Sequence, residues 1–465
     1  MAVPIWGNAS AGEGVTVTFN GQTKRAKADR RGHWQVRLDA LVGSNRGQEL
    51  KVSGENQIVL NDVVVGEVWI CSGQSNMQMG AGGIPEIKAL LPKANQLRTF
   101  EVPRTASFTE QDHCGGQWLA QPPNSAVAFT FAYFLQQAAE LPVGIILACW
   151  GSSSLEAWMP RDMTATVPHF ATVMEEFDRH NNTRATLQAS FDKPDGWSRK
   201  EDIFIRRQPN ILYNAMIKPL APFACRGLVW YQGERNTQSM TGMATEPWYG
   251  RHSGILRYGD TLKKWIGRYR AEWARDDLEF MIVMLPGYGK VLPSGPETGP
   301  QSPIAHSWAW MREQQLLALD LPHTSVINTI DLGDTKDIHP KDKLPIGKRL
   351  ALSAAKDTLG QDVIADGPTF KNVIANGAEL IVQFDHSDGL TTVDQEAPRA
   401  FWIAGDSKKW FRADAKIIDG EVVLASSQVP SPKHVRYAFA GVPNVNLINT
   451  AGLPARPFRS DSFQP

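Results

Sequence analysis

Three short apolar runs in the middle of the chain, each ended by glycine or polar residues, constrain the fold more than any other feature. They span residues 63–71, 141–150 and 225–231. Runs of this length, rich in β-branched and aromatic residues, are typical of buried strands. Stretches with the hydrophobic period of a helix alternate with them, at 127–140, 259–274 and 308–319. This alternation predicts a parallel sheet with helices on its faces.

The chain changes character on both sides of this α/β region. Residues 14–61 alternate between apolar and polar side chains, and Asn20-Gly21 is a typical hairpin turn. The same alternation returns after Pro368. We therefore predict three domains. They are a small N-terminal β unit at 1–61, an α/β domain at 62–360 and a β-sandwich-like domain at 361–465.

The predicted strand ends carry the residues that are best suited to chemistry. Ser75 lies in a glycine-containing turn directly after the first run, and Gly151 begins the break after the second. Gln232 and Glu234 follow the third run. In open α/β sheets, ligands and catalytic groups gather at the carboxyl ends of parallel strands. We therefore expect these residues to border one crevice.

A histidine and an acid are supplied by a segment that follows a fourth apolar stretch. A serine hydroxyl is a weak nucleophile at neutral pH and needs an adjacent base, for which histidine has the most suitable pKa. We predict that Ser75 is the nucleophile and that His339 is its base. Asp337 is the predicted partner of the imidazole, because residues two apart in an extended segment point to the same side. Asp334 or Glu234 could serve instead.

Five strings in chain order resemble the SGNH hydrolase superfamily and, within it, the sialate O-acetylesterase-like carbohydrate esterases. They are Gly66-Glu67-Val68-Trp69 running into Cys71-Ser72-Gly73-Gln74-Ser75-Asn76-Met77, Trp150-Gly151 with Glu156-Ala157-Trp158, Leu212-Tyr213-Asn214-Ala215-Met216-Ile217, Trp230-Tyr231-Gln232-Gly233-Glu234, and Asp337-Ile338-His339-Pro340. The resemblance extends over nearly the whole chain. It implies an SGNH-type parallel sheet flanked by helices, a flavodoxin-like three-layer arrangement, with small N-terminal and C-terminal β-sandwich-like domains.

The resemblance also implies an oxyanion hole and shows two departures from the superfamily. The implied donors are the backbone N–H groups of Ser75 and Gly151 and the side-chain amide of Gln232. Gln232 stands where the superfamily more often has asparagine. The superfamily spacing Asp-x-x-His is Asp-x-His here, and Lys336 occupies the position where the acid is expected.

Further residues are predicted to contact the substrate or to border the crevice. Aromatic faces stack on sugar rings, and five aromatic residues lie on or near the inferred crevice loops: Trp158, Trp230, Tyr231, Trp248 and Tyr249. Glu234 is expected to brace a loop or to contact substrate, and Arg312 to form part of the crevice wall. Residues 181–208 and 286–303 are predicted to be long loops at its border.

Composition excludes several classes of partner. Lys+Arg and Asp+Glu number 48 each, so we expect neither nucleic acid nor a membrane surface as a partner, and a neutral ligand is favoured. No apolar stretch is long enough for a transmembrane helix. The cysteines and histidines lack metal-ligand spacing, so neither a metal nor an organic cofactor is predicted. The resemblance implies a strand-forming segment ahead of Val3, and we expect a secreted or periplasmic protein whose signal peptide is absent from this chain.

The predicted function is that of a serine carbohydrate O-acetylesterase. It would release acetate from an O-acetylated sugar or glycan through an acyl-enzyme. Sialic acid and plant cell-wall polysaccharides such as xylan or xyloglucan are the candidate substrates. Two alternatives stay open: an esterase for small acyl groups on a non-sugar alcohol, and a non-catalytic glycan-binding protein. The sequence does not determine the oligomeric state.

Overall fold

The computed structural model describes residues 1–193, 196–239, 254–289 and 307–463. The chain begins with β1 (Val3–Asn8), β2 (Gly14–Phe19), β3 (Gln22–Lys27), β4 (His33–Leu38), β5 (Ser44–Ser53) and β6 (Gln57–Val65). One antiparallel sheet has the order β3-β2-β5-β6, and β1 pairs with β4. The β2–β3 hairpin turns at Asn20 and Gly21, both with positive φ, as the sequence predicts. The apolar residues that alternate along these strands form a separate small core.

The α/β region that follows contains a seven-stranded sheet. In chain order its elements are β7 (Glu67–Gly73), α1 (Ser75–Gln78), α2 (Pro85–Lys88), β8 (Leu97–Glu101), β9 (Trp118–Leu119), α3 (Ala126–Ala139), β10 (Val143–Cys149), α4 (Pro168–Arg179), α5 (Asn181–Phe191), α6 (Arg199–Ile205), β11 (Gly227–Tyr231), α7 (Ile255–Trp273), β12 (Glu279–Val283), α8 (Ser307–Leu316), β13 (Thr324–Ile327) and α9 (Leu344–Leu359). The three helical patterns of the sequence are confirmed as α3, α7 and α8. Every residue of β10 and β11 is buried, which explains their continuous apolar runs.

The sheet is mixed rather than wholly parallel. Its order is β13-β12-β11-β7-β10-β8-β9, and β9 runs antiparallel to β8. The remaining pairs are parallel. The predicted all-parallel sheet is therefore wrong at one edge, where no helix separates β8 from β9 and the chain simply folds back.

Strand β7 occupies the middle of the sheet, and its last residue defines where the predicted crevice lies. Gly73 is in register with Cys149 of β10 on one side and with Tyr231 of β11 on the other. The prediction that the three strand ends lie side by side at one edge is thereby confirmed.

The predicted loop at 181–208 is wrong, because most of it forms α5 and α6. The helical hydrophobic pattern is weak in this part of the sequence because the two helices bury few residues. Helix α5 buries only Leu187 and Ser190, and α6 buries only Ile205. A capping box between Ser198 and Glu201 begins α6 and satisfies backbone N–H groups that would otherwise lack partners. The second predicted loop, at 286–303, lies outside the described residues from position 290 onward.

The chain ends in ten short strands. They are β14 (Thr369–Asn376), β15 (Glu379–Asp385), β16 (Thr391–Thr392), β17 (Phe401–Ala404), β18 (Phe411–Arg412), β19 (Asp414–Ile418), β20 (Glu421–Ala425), β21 (His434–Tyr437), β22 (Leu447–Ile448) and β23 (Phe458–Arg459). Two four-stranded sheets have the orders β14-β15-β20-β19 and β18-β17-β21-β23, and β16 pairs with β22. Their buried side chains join the core of the α/β region. None of the helices in the described ranges could cross a membrane.

Candidate active site

Ser75 lies at the end of β7, where the chain turns sharply into the short helix α1. Gly73 makes this turn possible: its φ is +135°, and a Cβ there would lie 2.2 Å from the carbonyl oxygen of Tyr231. Gln74 donates its backbone N–H to the same carbonyl at 3.1 Å. Met77 is fully buried and anchors α1 in the core. Ser75 itself remains partly exposed.

Ser75 and His339 line the same cavity, which has a volume of about 490 Å³. Asn76 joins their two segments, because its Nδ2 donates to the carbonyl oxygen of Ile338 at 2.9 Å. The structure thus brings together the predicted nucleophile and the predicted base, which are far apart in sequence. Other lining residues include Gln78, Gly151, Arg206 and Glu234.

The environment of His339 favours the neutral imidazole. Burial lowers its pKa, and the charge of Lys343 lowers it further, whereas Asp337 opposes this shift. The Asp337 Oδ1 accepts the backbone N–H of His339 at 2.8 Å and lies 3.9 Å from the ring Nδ1. The ring distance exceeds a hydrogen bond, so Asp337 acts on the imidazole through its charge in this arrangement.

The two alternative acids are engaged elsewhere. Asp334 Oδ1 accepts the backbone N–H groups of Lys336 at 2.6 Å and Asp337 at 3.0 Å, and so shapes the loop. Glu234 accepts a hydrogen bond from Asn76 at 2.5 Å. Asp337 therefore stays the predicted partner of the imidazole.

Of the three residues predicted to supply oxyanion donors, two line the cavity and one is buried away from it. Ser75 and Gly151 both line the cavity. Gln232 is fully buried, and its Nε2 donates to Asn236 at 2.8 Å and to the Ser153 carbonyl at 3.1 Å. The structure therefore brings Gly151 to the cavity but leaves Gln232 behind its wall, where its amide holds neighbouring loops together.

Gln78 is a cavity residue that sequence reasoning missed. Its Oε1 accepts the backbone N–H of Gly151 at 2.8 Å, the group that was predicted to bind the oxyanion. The available signal was its position in the turn of helix that starts at Ser75. A substrate carbonyl that uses the Gly151 N–H has to displace this amide.

The predicted aromatic contacts are wrong for three residues. Trp158, Trp230 and Tyr231 are each fully buried. The indole of Trp158 donates to Ser153 Oγ at 2.9 Å, and its ring packs edge-on against Trp230. Aromatic side chains serve the core as readily as they serve a sugar site, and here the core holds them. Trp248 and Tyr249 lie outside the described residues.

Arg312 is not part of the crevice wall. It is fully buried and donates to four backbone carbonyls: Leu285, Pro286, Ala440 and Gly441. The first two carbonyls follow β12 of the α/β region and the last two follow β21 near the C-terminus, so the guanidinium connects the two parts. Burial lowers its pKa to about 9.

We expect Arg312→Met to lower the free energy of unfolding by about 3 kcal/mol or more, because it leaves four buried carbonyls without their donor. Urea denaturation followed by tryptophan fluorescence measures this loss. The exposed Arg30 provides the control, since Arg30→Met should change stability by no more than about 0.5 kcal/mol. Equal effects of the two substitutions would contradict the assigned role.

Three arginines in the cavity were also missed, although they lie in or beside segments that were predicted to border the crevice. Arg206, Arg207 and Arg235 line the cavity with Ser75. A Cβ on Gly151 would lie 3.2 Å from Ser75 Cβ and 3.5 Å from Arg206 Nη1, so all three groups converge. Glu234 is the acid among the described lining residues, and burial raises its pKa. Three arginines and one acid therefore line the described part of this cavity, although the whole chain has no net charge.

The arginines are partly held by neighbouring groups. Arg206 Nη1 lies 3.2 Å from Asp202, and burial lowers its pKa. Arg207 donates to Ser152 Oγ at 3.0 Å through Nη2. These contacts hold the Arg206 and Arg207 guanidinium groups in the cavity that Ser75 lines.

This chain is similar to known carbohydrate esterases over most of its length. Residues 195–356 match the family model for a carbohydrate esterase, sialic acid-specific acetylesterase. The sialate O-acetylesterase of Mus musculus is 24% identical, covering 98% of this chain and 90% of that protein. A crystal structure of a carbohydrate acetylesterase from Xanthomonas citri is 31% identical with a TM-score of 0.81, covering 99% of this chain and 96% of that chain.

Fold, site and relatives together define a carboxylic ester hydrolase. More narrowly, the chain belongs to the sialate O-acetylesterase-like carbohydrate esterases. Membership of this family supports esterase activity on O-acetylated sugars.

Proposed function

We propose that the protein is a serine O-acetylesterase whose preferred substrate is an O-acetylated acidic sugar of the sialic acid type. The observation that carries the proposal is the convergence of Ser75, His339 and Arg206 on one cavity at the end of β7. A nucleophile, a base and a fixed cation are what such a substrate requires.

The proposed reaction proceeds in two halves. Ser75 Oγ attacks the acetyl carbonyl while His339 takes its proton. As the bond between the acetyl carbon and the sugar oxygen breaks, the imidazolium protonates that oxygen, and the sugar leaves with a free hydroxyl. Water attacks the acetyl-enzyme in the same way and releases acetate. The developing oxyanion is stabilised by the backbone N–H groups of Ser75 and Gly151, once Gln78 has given up its bond to Gly151.

The charge of the cavity supports an acidic sugar over a neutral one. A carboxylate paired with a fixed guanidinium gains a charge-assisted hydrogen bond, which is roughly twice as strong as a neutral one. A neutral acetylated xylan or xyloglucan offers these arginines only uncharged hydroxyl and carbonyl oxygens, which form weaker hydrogen bonds with a guanidinium. This choice replaces the neutral ligand inferred from overall composition, because that balance averages over the whole surface.

The test compares acetate release from an O-acetylated sialic acid, acetylated xylan and p-nitrophenyl acetate. Arg206→Met should lower kcat/KM for the sialic acid by about tenfold to a hundredfold, the worth of one charge-assisted hydrogen bond. Hydrolysis of p-nitrophenyl acetate should stay within about twofold, because it has no carboxylate. Asp202 keeps its hydrogen bond from Trp150 at 2.9 Å in this variant.

Arg199 gives a matched control. It is exposed and is the first residue of α6, whereas Arg206 directly follows the last residue of the same helix. Arg199→Met should leave both activities within about twofold, since surface charges contribute little. Equal losses on acidic and neutral substrates in Arg206→Met would reject the acidic-sugar assignment. Preference for p-nitrophenyl acetate over every sugar ester would favour the small-acyl esterase.

A further inference from the structure

A buried polar cluster adjoins the cavity and is not used by the proposed reaction. Lys343 Nζ donates to Asn76 Oδ1 at 2.6 Å. Asn76 Nδ2 donates in turn to Glu234 Oε1 at 2.5 Å and to the Ile338 carbonyl at 2.9 Å. Lys343 is 0% exposed, Asn76 1% and Glu234 3%.

The members of this cluster come from the segments that carry the catalytic candidates. Asn76 directly follows Ser75, and Ile338 directly precedes His339. Lys343 caps the start of α9, immediately beyond the His339 loop. The hydrogen bonds of Asn76 therefore set the position of the histidine loop relative to the serine turn.

A fully buried lysine is costly, which makes a purely structural explanation weak. Removing an ammonium ion from water costs several kcal/mol unless it is well paired. The neighbouring acids do not fully offset the loss of hydration. Burial lowers the pKa of Lys343 to about 8, although Glu234, Asp342 and Asp337 oppose the shift. The Tyr231 ring, 5.4 Å from Nζ, adds a modest attraction.

Lysine has a property at this position that no apolar residue could supply. Its ammonium carries donors and no acceptor, so it must meet the oxygen of the Asn76 amide. The amide nitrogen is then forced toward the Ile338 carbonyl and Glu234. A reversed amide would set an acceptor against the Ile338 carbonyl and release the histidine loop.

We propose that Lys343 is a positioning residue of the esterase site, which orients the Asn76 amide so that the Ser75 turn holds the His339 loop. This inference rests on the proposed function. Two charged groups act on the pKa of His339 in opposite directions: Asp337 raises it and Lys343 lowers it. Glu234 and the three arginines line the same cavity as the imidazole.

Lys343→Met removes both the donor and the charge with little change in length. We expect kcat on p-nitrophenyl acetate to fall by about tenfold to a hundredfold with KM nearly unchanged, the cost of a small displacement of a catalytic group. The acid limb of the kcat/KM profile should move to higher pH, because His339 loses a nearby positive charge. Lys343→Gln keeps a donor without the charge, so it should recover part of kcat and retain the shifted acid limb.

Lys356 on the same helix, paired with Asp366 at 2.7 Å, gives the matched control. Lys356→Met should change neither kcat beyond about twofold nor the acid limb. An independent readout is NMR titration of the His339 ring in the Ser75→Ala background, where Lys343→Met should raise the pKa of the imidazole. This readout needs no turnover, so it separates failure of this inference from failure of the serine mechanism.

Three results would overturn the positioning role. One is a folded Lys343→Met enzyme with wild-type kcat and an unshifted acid limb. Another, should Lys343→Met not fold, is a folded Lys343→Gln enzyme whose imidazole titrates as in the wild type. A loss of thermal stability alone, with both profiles unchanged, would also reject the proposal.

Discussion

Ser75→Ala is expected to lower kcat by about three to six orders of magnitude while leaving the fold and glycan binding nearly intact. The reason is that the substitution removes the oxygen that forms the acetyl-enzyme, so that oxyanion stabilisation and binding would account for the residual activity. Ser75 is partly exposed in the turn that follows β7, so the substitution removes one oxygen without opening a cavity in the core. Steady-state kinetics on an O-acetylated sialic acid and circular dichroism measure the two effects.

A matched control comes from Ser152, which lines the same cavity but bonds to Arg207. Ser152→Ala should retain kcat within about tenfold. A fluorophosphonate probe should modify the wild type at Ser75, as located by peptide mass spectrometry, and should not modify Ser75→Ala. Retention of more than about a tenth of wild-type activity by Ser75→Ala would exclude the serine mechanism.

Asp337→Asn is expected to reduce kcat by about a hundredfold to ten-thousandfold, because an amide cannot stabilise the imidazolium that forms as Ser75 attacks. Asparagine still offers an oxygen to the His339 backbone N–H, so the loop should keep its conformation. The pH profile provides a second measurement. Asp337 raises the pKa of His339, so its neutralisation should move the acid limb to lower pH even as the maximum falls.

The two other acids serve as controls for this prediction. Asp334→Asn and Glu234→Gln should each have much smaller effects, since the Asp334 carboxylate bonds to loop N–H groups and Glu234 bonds to Asn76. If either control proved the more sensitive, the orienting role would pass to that residue. Three small effects would indicate a Ser75–His339 pair whose imidazole is held by some other acceptor.

The acid limb of the pH profile is expected to move to lower pH in Asp337→Asn and to higher pH in Lys343→Met. Measured together, the two shifts test whether both charges act on His339. A negative and a positive group face one imidazole, and deleting either shifts its titration in a direction that loss of stability cannot mimic. Activity at mildly acidic pH should therefore rise relative to the optimum in one variant and fall in the other.

The strand ends were predictable from sequence because their signals are local. An apolar run that stops at glycine identifies a buried strand and its turn within about ten residues. That is why Ser75 and Gly151 were placed correctly at one edge, and why α3, α7 and α8 were recognised from their periodicity. The edge strand β9, with only two residues, carries no such signal.

The accuracy of the prediction falls where a side chain has two plausible uses. Gln232 and Arg312 carry polar groups that suit an active site, yet both are fully buried and satisfied by neighbouring backbone and side chains. Trp158 and Tyr231 suit a sugar platform and instead fill the core. Sequence specifies what such groups can bind, and only packing decides what lies beside them.

By itself, the sequence determined the alternation of strands and helices, the position of the serine turn and the identity of the histidine segment, since each is encoded by neighbours along the chain. Only the tertiary structure decided the charge of the cavity and the cluster around Asn76. Lys343 contacts Asn76 although the two are 267 residues apart, and Arg206, at the end of α6, lines the same cavity as Ser75. The short helix α6 buries one residue, so the sequence shows no clear helical period there. The physical reason is that a buried or half-buried polar group takes its partner, its pKa and its role from whichever distant segment the fold brings against it.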